Sequence, residues 1–74
     1  MQRAGRTDTV LRTSTVFVDD KSIYNGKEAG GVYEEFGLAL SVVIRNGGVV
    51  IPTPELVIRS GDTLVYHMDF EEDL

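Results

Sequence analysis

The sequence predicts a small α+β domain in which a mixed β-sheet carries one helix on a face, with elements in the order strand, helix, strand, strand, strand. The clearest strand is LALSVVIR, residues 38–45, which is rich in aliphatic and β-branched residues. Asn46-Gly47-Gly48 follows it and favours a tight hairpin turn. Apolar residues at helical spacing occupy residues 29–36, directly before that strand.

The first strand is predicted at 13–18, TSTVFV, because β-branched and aromatic residues fill it. Asp19-Asp20 ends this strand. A helix that connects it to the strand at 38–45 predicts that the two strands are a parallel pair with a right-handed crossover. The sheet is therefore expected to be mixed, because the later hairpin adds antiparallel strands.

The helix prediction rests on apolar residues at positions i, i+3, i+4 and i+7, namely Ala29, Val32, Tyr33 and Phe36. Asn25, with Glu28 three residues later, resembles a capping box at the helix start. Gly37 stands where a left-handed C-terminal cap favours glycine. Gly30-Gly31 disfavours a helix, so the pair predicts a close approach of the helix backbone to another surface.

Strict alternation along the strand at 38–45 divides its side chains between two faces. The larger apolar set is Leu38, Leu40, Val42 and Ile44, and the smaller mixed set is Ala39, Ser41, Val43 and Arg45. We expect the helix to cover the first set. A single helix covers one side of a sheet, so the second face is predicted to be thinly covered or offered to a partner.

The remaining chain predicts a return strand at 49–51, which Pro52 ends because proline has no N–H for the ladder. Residues 55–60 are expected to form an irregular connection that places one or two apolar side chains under the sheet. Gly61-Asp62 indicates a turn into the last strand, 63–68. In that strand, one face holds Leu64, Tyr66 and Met68, and the other holds Val65 and His67.

The length of 74 residues allows one domain with a thin core. We expect a flexible leader at 1–12, the folded domain at 13–68 and an acidic tail at 69–74, where a further, truncated helix could begin. The chain has no cysteine and one histidine, which disfavours disulfides and a metal cage, so association is the expected source of extra stability. No stretch approaches the roughly 20 apolar residues of a membrane span, and no hydrophobic segment follows MQRAGR as in a signal peptide.

The composition does not favour catalysis or nucleic-acid binding. The formal net charge of −5 opposes the displacement of counterions that DNA binding requires. Ser22, Ser41 and Ser60 have only His67 as a base, and Gly26-Lys27 lacks the remainder of a phosphate-binding loop. We therefore predict a non-enzymatic protein with no catalytic residue, no protein metal site and no nucleic-acid partner.

Four motifs together resemble a known family. They are S-x-x-x-G-K at 22–27, F-G at 36–37, I-R-x-G-G at 44–48 and I-P-x-P-x-x-x-I-x-x-G-D-x-L at 51–64. Over residues 14–68 the chain resembles the TrkA-C domain, the C-terminal lobe of the cytosolic RCK regulators of potassium and other cation channels and transporters. The second half of this pattern is its most specific part.

The resemblance implies a cytoplasmic regulatory domain that forms a homodimer, senses a small ligand or ion in the dimer cleft and acts on a membrane cation channel or transporter. The implied ligands are cyclic dinucleotides or divalent cations. The expected ligand-binding positions are Leu38, Leu40, Arg45, Ile51 and Pro52. Family members that bind cyclic di-AMP carry an arginine and an amide side chain where this chain has Glu34-Glu35 and Ala39. This departure disfavours a dianionic ligand, because like charges repel.

Two other functions fit parts of the pattern. A DNA-binding antitoxin or regulator of the swapped-hairpin type also carries I-P followed by G-D and an apolar residue, although the gap here is short for that family. A purely structural dimerisation domain would use the thinly covered sheet face to pair two copies and would bind no ligand.

Overall fold

The computed structural model describes residues 13–68. The predicted leader at 1–12 and the predicted acidic tail at 69–74 lie outside the described residues. The division into leader, folded domain and tail therefore stays a prediction.

The described residues form four strands and one helix in the predicted order. They are β1 (Ser14–Phe17), α1 (Ala29–Phe36), β2 (Leu38–Arg45), β3 (Gly48–Val50) and β4 (Thr63–Met68). The predicted α+β class, with one helix on one face of a small sheet, is confirmed. The turn between β2 and β3 has positive φ angles at Asn46 (55°) and Gly47 (77°), as expected for a two-residue hairpin.

The sheet is antiparallel throughout, so the predicted mixed sheet is wrong in this respect. The strands lie in the order β1-β4-β2-β3, and all three pairings are antiparallel. The last strand inserts between β1 and β2. These two strands do run in the same direction, because both are antiparallel to β4, but they do not pair with each other.

A β-bulge in β2 divides its side chains differently from strict alternation. The register with β4 shifts between Leu40 and Val42, so one extra residue, Ser41, interrupts the alternation. Leu40 pairs with Tyr66 on the helix side, but after the bulge it is Val43 that lies there. The predicted placement of Val42 and Ile44 under the helix is therefore wrong, whereas the predicted faces of β4, where no extra residue occurs, agree with the structure.

The core lies between α1, the connection before β4 and one face of the sheet. Its fully or nearly fully buried cluster is Val18, Val32, Leu38, Val43, Ile58 and Leu64. Tyr24 and Phe36 pack at its margin with their rings 5.4 Å apart in an edge-to-face arrangement. Ile58 lies in the irregular connection, as predicted for one or two apolar residues of that segment.

We call the opposite side of the sheet the bare face. The strand registers place on it Thr15 and Phe17 of β1, Thr63 and Val65 of β4, Val42 and Ile44 of β2, and Val49 of β3. No other element of the described residues packs on this face, because the helix and the connection before β4 both lie against the core. The predicted exposure of one sheet face is confirmed.

The helix ends as predicted but begins differently. Gly37 caps the C-terminus with φ 75°, and its N–H donates to the Tyr33 carbonyl. The N-cap is Glu28, which makes no side-chain capping bond, so the predicted capping box at Asn25 is wrong. The side chain of Asn25 instead accepts a 3.1 Å hydrogen bond from the Ser60 N–H.

Within residues 13–68, the one helix has eight residues, and the structure contains no helix that is long and apolar enough to span a membrane.

The bulge predicts that two valines of adjacent strands contribute differently to the free energy of unfolding. Val43→Ala removes two methyl groups from a fully buried site and should lower the free energy of unfolding by about 2 kcal/mol. Val49→Ala, at a side chain that is 68% exposed, should change it by less than about 0.5 kcal/mol. Urea denaturation of both variants measures these changes. Equal losses would contradict the bulge register.

Candidate functional site

A groove of about 250 Å³ lies where the helix, β2 and the segment after β3 meet. The helix contributes Ala29, Gly30 and Tyr33, β2 contributes Ala39 and Leu40, and the third wall is Pro52, Thr53 and Pro54. None of these side chains carries a charge. The groove therefore offers mainly apolar contact.

The position of the groove follows from the short third strand. β3 pairs only with residues 43–45 of β2, so the first half of β2 has no strand beside it on that side. Pro52 prevents β3 from continuing as a hydrogen-bonded strand. The chain instead turns toward the helix, and the space left beside Ala39 and Leu40 is the groove.

Gly30 positions the outer wall of the groove. Its N–H donates a 2.9 Å hydrogen bond to the Pro54 carbonyl, and the Ala29 N–H donates one of the same length to the Leu56 carbonyl. Amides of the first helical turn have no partner within the helix, so this segment satisfies them. A Cβ on Gly30 would lie 3.2 Å from both the Cβ and the carbonyl oxygen of Pro54. The predicted close approach at the glycine pair is thus found at Gly30.

Comparison with known proteins places this arrangement in a fold family. No protein-family model and no curated protein matches the sequence. The solved RCK_C domain dimer of S. agalactiae BusR in complex with c-di-AMP is similar, with a TM-score of 0.68 and 26% identity over 80% of this chain and 82% of that chain. S. agalactiae BusR in complex with its busAB-promotor DNA has a TM-score of 0.66 and 24% identity. This second match covers 86% of this chain but only 35% of that one.

The described residues have an RCK_C-like fold, which supports the TrkA-C resemblance. The fold comparison with an RCK_C domain agrees with the motifs at 22–27, 44–48 and 51–64. The second similar structure is a protein bound to promoter DNA and not a channel or transporter. It therefore does not support the expected channel or transporter partner, and it weighs against the expectation that this chain has no nucleic-acid partner.

The structure places the five predicted ligand-binding residues in different surroundings. Leu40 and Pro52 lie together in the groove. Leu38 is buried in the core at 4% exposure, and Ile51 is 72% exposed. Arg45 lies at the far end of β2 and is held by Asp62. The structure thus brings two of the five together, and the binding role of all five stays a prediction.

Several groove residues were not predicted as ligand-binding positions. They are Ala29, Gly30, Tyr33, Ala39, Thr53 and Pro54. Two signals in the sequence mark the same region: the glycine pair within the helix and the P-x-P segment. Only the three-dimensional contact between Gly30 and Pro54 shows that these two signals belong to one site.

Four carboxylates lie within two residues of the groove residues in sequence, and all four are exposed: Glu28, Glu34, Glu35 and Glu55. Lys27 Nζ lies 3.5 Å from Glu35 Oε1, so one of these four negative charges has a cationic neighbour. Solvent screens exposed charges, which weakens the predicted repulsion of an anionic ligand. Among residues 13–68, no three His, Asp or Glu side chains converge as a metal site would require.

Arg45 makes a bidentate ion pair beneath the connection that precedes β4. Its Nε donates to Asp62 Oδ1 at 2.8 Å, and its Nη2 donates to Asp62 Oδ2 at 2.7 Å. Nη2 also donates to the Val57 carbonyl at 2.9 Å. Asp62 accepts a further bond from the Arg59 N–H at 2.9 Å and is only 1% exposed.

These hydrogen bonds control the ionisation of Asp62. The bond from Arg45 lowers the pKa of the Asp62 carboxyl below its usual value and outweighs the opposing effect of burial. Sequence reasoning assigned Gly61-Asp62 to a turn and Arg45 to a ligand. The register of β2 with β4 connects the two residues. It pairs Ile44 with Thr63, so Arg45, which follows Ile44, lies near Asp62, which precedes Thr63.

The two glycines of the helix provide a matched test of the groove wall. Gly31→Ala meets nothing within 4 Å and should raise the free energy of unfolding by up to about 1 kcal/mol, the helix propensity difference. Gly30→Ala gains the same propensity but displaces Pro54, so it should give little or no gain. Thermal and urea unfolding measure both. A similar stabilisation by the two substitutions would contradict the close approach at Gly30.

Removal of the buried carboxylate should destabilise the domain in a pH-dependent way. Asp62→Asn should lower the free energy of unfolding at pH 7 by about 3 kcal/mol, the lower end of the range for breaking a buried pair. Because the folded pKa of Asp62 is lowered, its contribution is present above the unfolded pKa of about 3.9 and is lost as pH falls through the folded pKa.

The unfolding free energies of wild type and Asp62→Asn should therefore converge in strong acid. Glu55→Gln, at an exposed carboxylate, is the control and should stay within about 0.5 kcal/mol of wild type. Urea denaturation from pH 7 downward measures the difference at each pH. A constant difference across this range would show that the carboxylate charge is not the stabilising feature.

Proposed function

We propose that this chain is the ligand-sensing domain of a regulatory protein, and that it acts as a homodimer with a small molecule bound in the groove. The observation that supports it is the uncharged groove between Gly30, Leu40 and Pro52 in a fold shared with an RCK_C domain dimer. The groove lacks a nucleophile paired with a base, so the proposal is binding and not catalysis.

The size of the groove supports a site shared by two copies. Small-molecule sites commonly enclose about 300–1,000 Å³. The groove of one copy, at about 250 Å³, is below that range and is open to solvent. A dimer with twofold symmetry brings two equivalent grooves, and together they provide the contact that one lacks.

The ligand class that we propose is a cyclic dinucleotide, which the solved BusR RCK_C dimer binds as c-di-AMP. Such a ligand has two flat bases, whose faces stack on apolar surfaces, joined by a ring that carries two phosphates. The proline and leucine surfaces of each groove suit one base, and the internal symmetry of the ligand matches that of a homodimer. The divalent cation expected as an alternative has no cluster of carboxylates among residues 13–68 to hold it.

Two candidates for what the domain regulates are each supported by a different observation. The motif resemblance supports a membrane cation channel or transporter as the regulated partner. The similarity to a promoter-bound protein, of which this chain spans about a third, supports a second candidate, the ligand-sensing part of a transcription regulator. Residues 13–68 contain seven acidic and four basic side chains, so in that case we expect another part of the protein to contact the DNA.

Titration calorimetry of the full chain with c-di-AMP tests the proposal. We expect one ligand per two chains, with linear diadenylate as a control that binds more weakly because it is not preorganised. Gly30→Ala should weaken binding about tenfold by displacing the groove wall, while Gly31→Ala should bind as wild type does. Absence of a thermal shift with cyclic dinucleotides, mononucleotides and divalent cations would refute a ligand-sensing role.

A further inference from the structure

We propose that a second pocket, at the opposite end of β2 from the groove, binds a phosphate group. The pocket has a volume of about 170 Å³ and lies between the β2–β3 turn and the turn that leads into β4. Its lining residues are Arg45, Asn46, Arg59, Ser60, Gly61 and Asp62. This inference concerns a separate site and does not rest on the function proposed for the groove.

The pocket and the groove lie at different ends of one strand. The groove contacts β2 at Ala39 and Leu40, whereas the pocket contacts it at Arg45, the last residue of that strand. At about 3.3 Å per residue, the stretch from Leu40 to Arg45 spans roughly 15 Å. Among residues 13–68, none lines both cavities. A small ligand in one cavity therefore leaves the other open.

The pocket is positively charged, although the chain as a whole is acidic. The guanidinium groups of Arg45 and Arg59 line it together with the carboxylate of Asp62, which leaves a net charge of +1. The formal net charge of the whole chain is −5. Positive charge gathered in a cleft raises the local concentration of anions. The local charge therefore favours an anionic ligand.

The carboxylate of the pocket is engaged by the protein itself. Asp62 accepts hydrogen bonds from Arg45 Nε and Nη2 at 2.8 and 2.7 Å and from the Arg59 N–H at 2.9 Å. At 1% exposure, it has almost no surface left for a ligand to contact. Asp62 therefore neutralises one guanidinium without occupying the pocket.

Several hydrogen-bond donors of the pocket remain without an acceptor. Arg45 uses Nε and Nη2 for Asp62 and the Val57 carbonyl, and its Nη1 has no acceptor among residues 13–68. Within the same part of the chain, the guanidinium of Arg59 makes no hydrogen bond or ion pair, and neither does the side-chain amide of Asn46. An oxyanion supplies the acceptor oxygens that these donors lack.

The placement of these donors favours phosphate over a carboxylate. Arg45 and Asn46 belong to the end of β2 and its turn, whereas Arg59 belongs to the turn before β4, so donors reach a ligand from two separate segments. A tetrahedral phosphate presents oxygens in several directions, but a carboxylate presents two oxygens in one plane. The fork of an arginine also matches two phosphate oxygens at once.

Both segments are held in place before a ligand arrives. Asn46 lies in the tight β2–β3 turn with a φ of 55°. In the other turn, the Asp62 N–H donates to the Arg59 carbonyl at 3.1 Å, and the Gly61 N–H donates to the Val18 carbonyl at 2.7 Å. A site formed in advance loses less conformational freedom when it binds.

One exposed carboxylate beside the pocket limits the expected affinity. Asp20 Oδ1 accepts a 2.7 Å hydrogen bond from Ser60 Oγ. Its charge opposes an anion, although solvent screens it because Asp20 is exposed. We therefore expect a dissociation constant for inorganic phosphate on the order of 1 mM.

A titration of the full chain with inorganic phosphate at constant ionic strength, followed by the backbone amide signals in NMR, tests the inference. We expect saturable shifts at Asn46, Ser60 and Gly61, which line the pocket. The signals of Ala39 and Leu40, which line the groove, should not move. Absence of saturable shifts at the pocket would overturn the inference.

Two substitutions that each remove one positive charge provide a matched comparison. Arg59→Gln removes a side chain that has no partner among residues 13–68, so the variant should fold and its dissociation constant should rise at least about tenfold. Lys27→Gln should bind as wild type does, because Lys27 lies outside the pocket with its Nζ 3.5 Å from Glu35 Oε1. Equal affinities of Arg59→Gln and wild type would overturn the inference.

Other ligands test the phosphate group and its source with the wild-type chain, so they decide even if a variant fails to fold. Shifts of the pocket signals with acetate or adenosine that equal those with phosphate would overturn the inference. Tighter binding of adenosine monophosphate than of inorganic phosphate would support the site and indicate a nucleotide. Equal or weaker binding of the nucleotide would support the site and indicate free phosphate.

Discussion

The structure depends on how little of the sheet one helix can cover. The helix has eight residues, and the antiparallel sheet has four strands. A helix of that length extends about 12 Å, so it cannot span the sheet in either direction. The connection between β3 and β4 supplies the remaining cover on the core side, and Ile58 within it is fully buried. Nothing of this kind lies on the other side among the described residues. The groove and the bare face both result from this shortage of cover.

The connection before β4 can act as a second covering element because several fixed contacts replace the regular hydrogen bonds of a helix. The Ile58 N–H donates to the Lys27 carbonyl, and the Ile58 carbonyl accepts from the Gly26 N–H. Arg45 reaches the Val57 carbonyl from the end of β2 while Asp62 holds its guanidinium. The groove wall at Pro54 lies at the other end of the same segment. Its position therefore depends on residues that never touch the groove.

Local patterns predicted the elements of this fold well. The strand at 38–45, the Asn46-Gly47 hairpin and the Gly37 cap each require only neighbouring residues, and all three agree with the structure. The order of the strands in the sheet is a non-local property. The insertion of β4 between β1 and β2 does not change any local pattern, so the predicted parallel pair had no signal against it.

The bulge at Ser41 is the most consequential feature that the sequence did not reveal. A side-chain period of two makes every later residue of a strand change face when one residue is added. Val43 and Ile44 are both aliphatic and β-branched, so either would suit the core by composition. The choice is made by pairing with β4, where Leu64 is buried opposite Val43 and Thr63 lies opposite Ile44. Without the bulge, Ile44 would not lie on the bare face at all.

The candidate site shows the same division between local and non-local information. Leu40 and Pro52 were predicted through the motif resemblance, and they do line one groove. Arg45 belongs to an equally specific motif, yet its guanidinium is engaged by a buried carboxylate within the same chain. An arginine and an aspartate that recur in a motif can serve the fold or a ligand, and their spacing does not distinguish the two. In this domain Arg45 also binds the Val57 carbonyl, three residues from Pro54 of the groove wall, so any effect of the ion pair on a ligand in the groove would be exerted through that segment and not by direct contact.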